Sequence, residues 1–521
     1  MATANYNLAD TLYQRLMLSP LGLDRENAVA FWMLILFGTL TLGGLWYFEG
    51  EIPVVLAILY VTGIFILSFL RIDYSLYLLF AGVMTMDQFA IPGFSSITHE
   101  ISFFSNLKEI PYLPFFSAGV INPVELHILF LVLSLLILIS VDKNMSFTAI
   151  PVWIPFTLFF FSLVGSFVYG LQGGGDILVA LWEVRALFYL CIMYLIVPQI
   201  IRTRRQINVL LWIFIIGVTL KAFQGIGRFV SLGFTTGGFD VLTNHEDPVF
   251  TVTLLILLAG FMVYKVDTRQ RLWLFVLLLP LLLGFYVAQR RAAYASLMVS
   301  VCTFIVLLPM LKRWYFLKFF LPVLAFLMLY GVVFWNSGST LGRPVQMIKS
   351  GLEKPSSETN YRDYNSNLYR EFENYNLAST VAGNPITGTG FGKKYDQPIP
   401  LAAINFTLSE YIPHNQILWV LVKMGGIGFL TFWFFFNSIA AKGTQVFFRL
   451  EDPYLKVVAL FIVVAIINQM VVSYFDLQLT YYRNMLYLGC LIGIIPALER
   501  ISLTDNSDDQ NARGESGRTV A

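Results

Sequence analysis

The chain alternates between long apolar runs and short polar links. Runs long enough to cross roughly 30 Å of hydrocarbon as helices lie near 29–47, 52–70, 75–92, 124–141, 150–170, 178–199, 206–228, 249–265, 272–289, 292–310, 316–335, 415–440, 454–474 and 481–498. They are too long for the strands of a membrane barrel, and backbone groups left unpaired in lipid cost several kcal/mol each, so helices are the economical reading. The pattern predicts an all-α polytopic transmembrane helical bundle of about 12–14 spans.

The polar intervals divide the chain. Residues 1–28 form an N-terminal segment, 29–335 the first part of the bundle, 336–413 a large loop carrying short helices, 414–500 the last part of the bundle, and 501–521 a tail. The tail is rich in Asp, Asn, Ser, Gly and Arg, a composition that predicts disorder. Arg71, Lys143, the cluster Arg202, Arg204 and Arg205, then Lys265, Arg269 and Arg271, then Lys312 and Arg313, and finally Lys442, Arg449 and Lys456 fall in alternate links. Basic residues of short links stay cytoplasmic, so both termini are expected inside and the 336–413 loop outside. The first thirty residues carry Asp10, Arg15, Asp24, Arg25 and Glu26 and read as a retained cytoplasmic segment rather than a secretory leader. Within the external stretch 93–123, FFSNLKEIPYLPFF suits either an interfacial amphipathic segment or a plain connection.

Composition sharpens this picture. Apolar residues make up 57% of the chain and charged residues 13%, about half the charged share of a soluble domain, so most of the chain belongs in lipid. A net charge of +2 gives no overall basic field for nucleic acid. Cys191, Cys302 and Cys490 lie far apart in apolar runs, without the spacing of a disulfide framework or a metal site. The four histidines, His99, His127, His245 and His414, are equally scattered, and no cofactor or metal is expected.

Candidate chemistry gathers at the outer side, where arginine is otherwise disfavoured: Arg185, Arg228, Arg290, Arg291 and Arg483 lie at span ends, with Arg362 and Arg370 in the loop. In QRRAAY the adjacent Arg290 and Arg291 interrupt an apolar stretch. Such charges either face a polar cavity or ligand or snorkel to lipid phosphates, and helical geometry separates neighbours by about 100°, so the two cannot point the same way. The planar fork of arginine suits a pyrophosphate. The loop segment YRDYNSNLYREFENY places Tyr369 and other flat aromatic faces beside amides and carboxylates, a combination that suits sugars. As a helix it sets Leu368, Phe372 and Tyr375 on one side and Arg370 and Glu373 on another. The following NPITGTGFG reads first as turns and second as an anion-binding nest of backbone amides. His414 and Asn415 then open the next span, where a neutral imidazole at the water interface has the proton affinity of a general base. Gly425, Gly426 and Gly428 read as packing positions for a neighbouring helix.

The ordered set of an outer Arg at a helix end, a loop Arg followed by Pro385, Gly388 and Gly390, and His414 with Gly425 eleven residues later resembles the O-antigen ligase superfamily, over about 289–430. The loop arginine is best matched by Arg370, with Arg362 as the substitute because Asn374 stands where ligases of the family have Leu; the helix-end arginine is Arg290 or Arg291. The resemblance implies a metal-independent membrane glycosyltransferase. It would move a glycan from undecaprenyl pyrophosphate to an acceptor hydroxyl at the outer face of a bacterial cytoplasmic (inner) membrane. The acceptor would be lipid A core in lipopolysaccharide assembly, another lipid-linked glycan in polymerase-type or exopolysaccharide assembly, or a protein. On this reading His414, Arg370 and Arg290 are catalytic, and Arg291, Arg362, Tyr369 and Asn415 bind substrate. Membrane lipids are the other partners, and nucleic acid is not one. The rival classes are a transporter or flippase of lipid-linked sugar, which would carry charge through the depth of the bundle, and a non-catalytic partner in a polysaccharide export machine.

Overall fold

Each apolar run becomes a helix or helix pair in the computed structural model, which describes residues 25–47, 52–91, 93–94, 96–110, 120–141, 147–235, 242–353, 361–404 and 406–518. The chain divides into two units. The first holds 1–148, 199–201 and 205–214; the second holds 149–198, 202–204 and 215–521. The expected N-terminal segment lies outside the described residues up to position 24, as do Lys143 and the 111–119 part of the expected interfacial stretch.

In the first unit α1 (Arg25–Tyr47), α2 (Ile52–Leu70), α3 (Ile72–Thr85) and α4 (Pro123–Val141) pack in sequence order, with α2 also against α4. Their one fully buried imidazole is satisfied on both nitrogens. The Tyr60 hydroxyl lies 2.9 Å from His127 Nδ1, and Ser75 Oγ lies 2.9 Å from Nε2. His127 is therefore structural, as its isolation in an apolar run suggests. Between α3 and α4 the described residues contain only the turn Ile97–Glu100 and the 3₁₀ turn Leu107–Glu109.

The second unit contains α5 (Trp153–Gln172), α6 (Ile177–Ile200), most of α7 (Arg204–Ser231), α8 (Asp247–Val263), α9 (Arg269–Val276), α10 (Leu278–Ala288), α11 (Arg291–Leu307) and α12 (Met310–Phe334). After these come α13 (Arg343–Leu352), α14 (Tyr361–Gly383), α15 (Gln416–Arg449), α16 (Pro453–Val472) and α17 (Tyr482–Arg518). Nearly every side chain of α16 is buried, and α8, α11, α15 and α17 surround it. No side chain of α12 is buried, and a helix apolar on all sides belongs in lipid.

Among the described residues, eight helices are long and apolar enough to cross a membrane, or nine if the α9–α10 pair, bent by 53°, counts as one span. Of the remaining apolar runs, α8 and α11 form helices of 17 residues and α3 one of 14, while the backbones of α1 and α2 are helical over 23 and 19 residues. At 1.5 Å per residue 17 is the lower limit for a crossing. The twelve to fourteen spans expected from apolar runs thus correspond one for one to helical segments, but fewer reach full length. The backbone of α17 stays helical to Arg518, where composition predicts disorder from 501; extending an existing helix needs no new nucleus.

Two features build the end of the bundle that carries the polar loops. The first is a break in α15 at Gly425, with φ 63° and ψ −171°. In an unbroken helix the amides of Gly426 and Ile427 would bond the carbonyls of Val422 and Lys423. Instead they donate to Pro385 and Ile386 at 2.9 and 3.3 Å, while the Val422 and Lys423 carbonyls accept from Thr389 and Gly390 at 2.8 and 3.0 Å. The loop is spliced into the helix. A Cβ on Gly425 would stand 2.2 Å from the Ile386 oxygen, so what the glycine admits is this loop, not the neighbouring helix expected from the sequence.

The second feature is a buried ion pair. Glu183 and Lys423 are fully buried and 2.8 Å apart; Glu183 also accepts from the Gly392 amide at 2.6 Å and from Trp419 Nε1 at 3.3 Å. The carboxylate thereby fastens α6, the glycine loop and α15 together. Removing one member of such a pair strands the other charge. We expect Glu183→Ala to destabilise the protein by about 3–5 kcal/mol. Thermal unfolding in detergent checks this; an unchanged midpoint would show that the pair contributes nothing.

Candidate functional site

α10 ends where Gln289 adopts left-handed backbone at φ 50°, and Arg290 then takes extended backbone as the N-cap of α11. This turn sends the two arginines apart. Arg291 points to α14, donating from Nη1 to Asn367 Oδ1 at 2.8 Å and from Nη2 to Ser366 Oγ at 3.1 Å. Arg290 makes no hydrogen bond and no ion pair within 4 Å among the described residues, and its Nε is buried without a partner. Burial disfavours its charge, Asp476, Tyr481 and Glu246 oppose that effect, and Arg370 adds a like charge.

Arg370 sits on α14 and is likewise without an ion pair among the described residues, although its field reaches both Arg290 and Asp476. The buried stripe of α14 is Glu373, Asn376, Leu377 and Thr380. Tyr375 is exposed, and Leu368 and Phe372 are half-buried, so the apolar side expected from the sequence does not form the main contact. Polar clamps explain the choice: Asn376 donates to the Ile399 carbonyl at 2.7 Å and accepts from its amide at 3.0 Å, and Thr380 Oγ1 accepts from the Asp396 amide at 2.9 Å. The helix is fixed by loop backbone as much as by apolar packing.

Glu373, one turn from Arg370, is almost wholly buried and takes hold of His414. One carboxylate oxygen accepts the His414 amide at 3.0 Å, and the other lies 3.2 Å from Nδ1. A carboxylate only accepts, so Nδ1 carries the proton and Nε2 of the neutral ring keeps its lone pair free. The Tyr369 ring meets the His414 ring edge-on at 5.6 Å, and burial together with the Glu373 charge pushes its phenol up to about 12. Asn415 caps α15 by accepting from the Leu418 amide at 3.1 Å and donates to Asn374 at 3.1 Å. Both Asn415 and Arg291, expected to bind substrate, thus have their polar groups engaged by the protein. The Arg362 side chain lies outside the described residues.

The glycine loop departs from the nest reading. The amides of Gly388, Thr389, Gly390, Phe391 and Gly392 donate to Asn384, Val422, Lys423, Ser166 and Glu183 respectively, which leaves none of them for an anion. Its role is the splice.

A second histidine–carboxylate pair was not legible beforehand. His245 Nδ1 lies 2.9 Å from Asp476 Oδ2, and the ring packs edge-on against Tyr481 at 5.7 Å. Burial and the Arg290 charge, reinforced by His414, push the imidazole down against the pull of Asp476, so it is neutral at neutral pH. Burial alone would raise the Asp476 carboxyl; the His245 contact and the fields of Arg290 and Arg370 hold it well below the usual carboxylate range. Arg290, Arg370, His245 and His414 therefore share one electrostatic neighbourhood. Arg483 does not join it: its Nη1 is paired with Glu246 at 2.7 Å and Asp247 at 3.0 Å. Arg228 donates to the Leu242 carbonyl. Among the described residues no three His, Cys, Asp or Glu side chains gather around one point.

Two arginines without an ion pair among the described residues thus share the neighbourhood of an imidazole held in one tautomer by a buried carboxylate, an arrangement that suits an anion beside a base. The residues that build it fall in the segment 274–433, which matches the model of the family described as O-antigen ligase. That segment is similar to the family that the order of the motifs predicted. No curated protein matches the chain. The match speaks in general terms for a membrane protein of glycan transfer, with a lipid-linked glycan donor and a glycan acceptor.

The two arginines differ in a measurable way. Arg291→Ala removes two hydrogen bonds from a charged donor and should cost about 1–3 kcal/mol of stability. Arg290→Gln removes a charge that the fold does not pair, so stability should hold or rise slightly. Thermal unfolding of both purified variants tests this, and a larger loss for Arg290→Gln would reverse the assignment of which arginine faces the site.

Proposed function

We propose that the protein is a glycosyltransferase that moves a glycan from undecaprenyl pyrophosphate to an acceptor hydroxyl, of O-antigen ligase or polysaccharide polymerase type. It works at the external face of a bacterial cytoplasmic membrane. The observation that carries this reading is the convergence of Arg290 and Arg370, without an ion pair among the described residues, with a His414 oriented by Glu373. A transporter would need charge along a path through the bundle, whereas these groups sit at one end.

In this reaction Arg290 and Arg370 grip the pyrophosphate by charge-assisted hydrogen bonds that strengthen as negative charge develops on the leaving oxygen. His414 Nε2 accepts the proton of the attacking hydroxyl while the acceptor oxygen bonds to the anomeric carbon. The bond from that carbon to the pyrophosphate oxygen breaks, its electron pair leaves with the pyrophosphate, and the configuration inverts. Glu373 stabilises the imidazolium so formed without touching substrate. Tyr369, edge-on to His414, offers a flat face to a sugar ring. No metal is required, because the arginines supply the positive charge.

The test is transfer by the purified, detergent-solubilised protein from an undecaprenyl pyrophosphate-linked glycan to candidate acceptors in chelating buffer. We expect His414→Ala to lower turnover about 100-fold or more. Glu373→Gln should lower turnover less and shift its pH dependence, since the imidazolium loses its counter-charge. Full activity in His414→Ala would sink the base assignment, and absence of product with every acceptor would sink the transferase reading.

A further inference from the structure

The α9–α10 span has the arginine turn at one end and a second, unrelated polar feature at the other. There the link between α8 and α9, together with the start of α12, borders an open cavity of about 640 Å³, within the usual range of small-ligand sites. Its charged groups are Lys265, Arg269, Arg271 and Asp267. Arg271 is paired with Asp267 at 2.8 Å, which leaves Arg269 without a hydrogen bond or ion pair among the described residues. Lys265 Nζ lies 5.8 Å from the Tyr315 ring and has no carboxylate partner there. The excess charge is positive.

The rest of the lining decides what kind of anion fits. Met262, Leu272, Phe275 and Tyr315, all four exposed, complete the wall with Thr268. Leu272 and Phe275 lie on α9, whose Trp273 and Val276 are exposed too, so the cavity opens onto the lipid-facing side of a membrane helix. A free inorganic anion would gain from the cations but not from these walls. An amphiphile gains from both: its phosphate would meet Lys265 and Arg269 while its acyl chains lie along Leu272 and Phe275. Tyr315 at the rim suits the headgroup level, where aromatic rings of membrane proteins concentrate.

We propose that this cavity binds the phosphate headgroup of an anionic membrane phospholipid, in the leaflet opposite the Arg290–His414 site. The ligand braces α8, α9 and α12 at the foot of the bent span. The proposal does not depend on the reaction carried out at the other end.

The experiment measures thermal unfolding of the full-length protein in detergent with phosphatidylglycerol, with phosphatidylcholine of the same chains, or with inorganic phosphate. Native mass spectrometry of the same samples counts retained lipid. We expect phosphatidylglycerol alone to raise the midpoint, by about 2 °C or more near saturation, and to be retained as a discrete adduct. The Lys265→Gln/Arg269→Gln variant should lose both effects; Arg449→Gln, which removes a cation elsewhere, should keep them. Equal stabilisation of all three proteins would show a bulk effect of anionic lipid and overturn the proposal. An equal effect of inorganic phosphate would identify a free-anion site and overturn the lipid assignment. If the double variant does not fold, absence of a retained phosphatidylglycerol on the native chain is sufficient to reject the site.

Discussion

Inside a bilayer a helix that breaks must find new partners for its backbone, because water is not there to supply them. α15 breaks at Gly425, and four backbone groups that would have bonded one another bond instead to residues 385–390. That exchange keeps the loop and the span in one register. His414 and Asn415 lie at the start of the same helix, α14 leads directly into the same loop, and Glu183 with Lys423 lock the two together from below. The distance from Glu373 to His414 is therefore set by backbone hydrogen bonds and one ion pair, not by flexible loop packing.

On that frame the charges are arranged asymmetrically. Several arginines near this end of the bundle are engaged locally: Arg483 is charge-paired with two carboxylates, while Arg228 donates to a carbonyl and Arg291 to neutral side chains of α14. Arg290 and Arg370 have no such partner among the described residues. Asp476 feels the field of both and opposes the cost of burying Arg290, but it already serves His245. An anion entering between them would meet two forks that no carboxylate among the described residues already holds. The pairing of each histidine with a carboxylate fixes which nitrogen looks outward.

How much of this could be read from the chain follows from the range of each interaction. The spans were legible because apolar composition is local, and their lengths less so because ends are set by caps such as Asn415 and Asp452. Arg290, Arg370 and His414 stood out since charge at a span end is costly and conspicuous. Glu373 was visible only as one acid among many in a polar loop; its partner is 41 residues away. His245 and Asp476 are 231 residues apart, and no periodicity links them. The glycine loop was read as turns, correctly in kind, but the helix it repairs could not be inferred from either segment alone.

The loop splice also fixes an order of events. Its anchors, Ser166 on α5 and Glu183 on α6, are made about two hundred residues before the loop reaches them, and Trp419 and Lys423 follow only with α15. The Glu183 carboxylate therefore gains its partners only after the loop and α15 have been made. Such long-range closure is slow because the entropy of ordering the intervening chain is lost before any contact rewards it. Loop, lysine and histidine are thus tied to one another through contacts that exist only once residues from both halves of the chain are present.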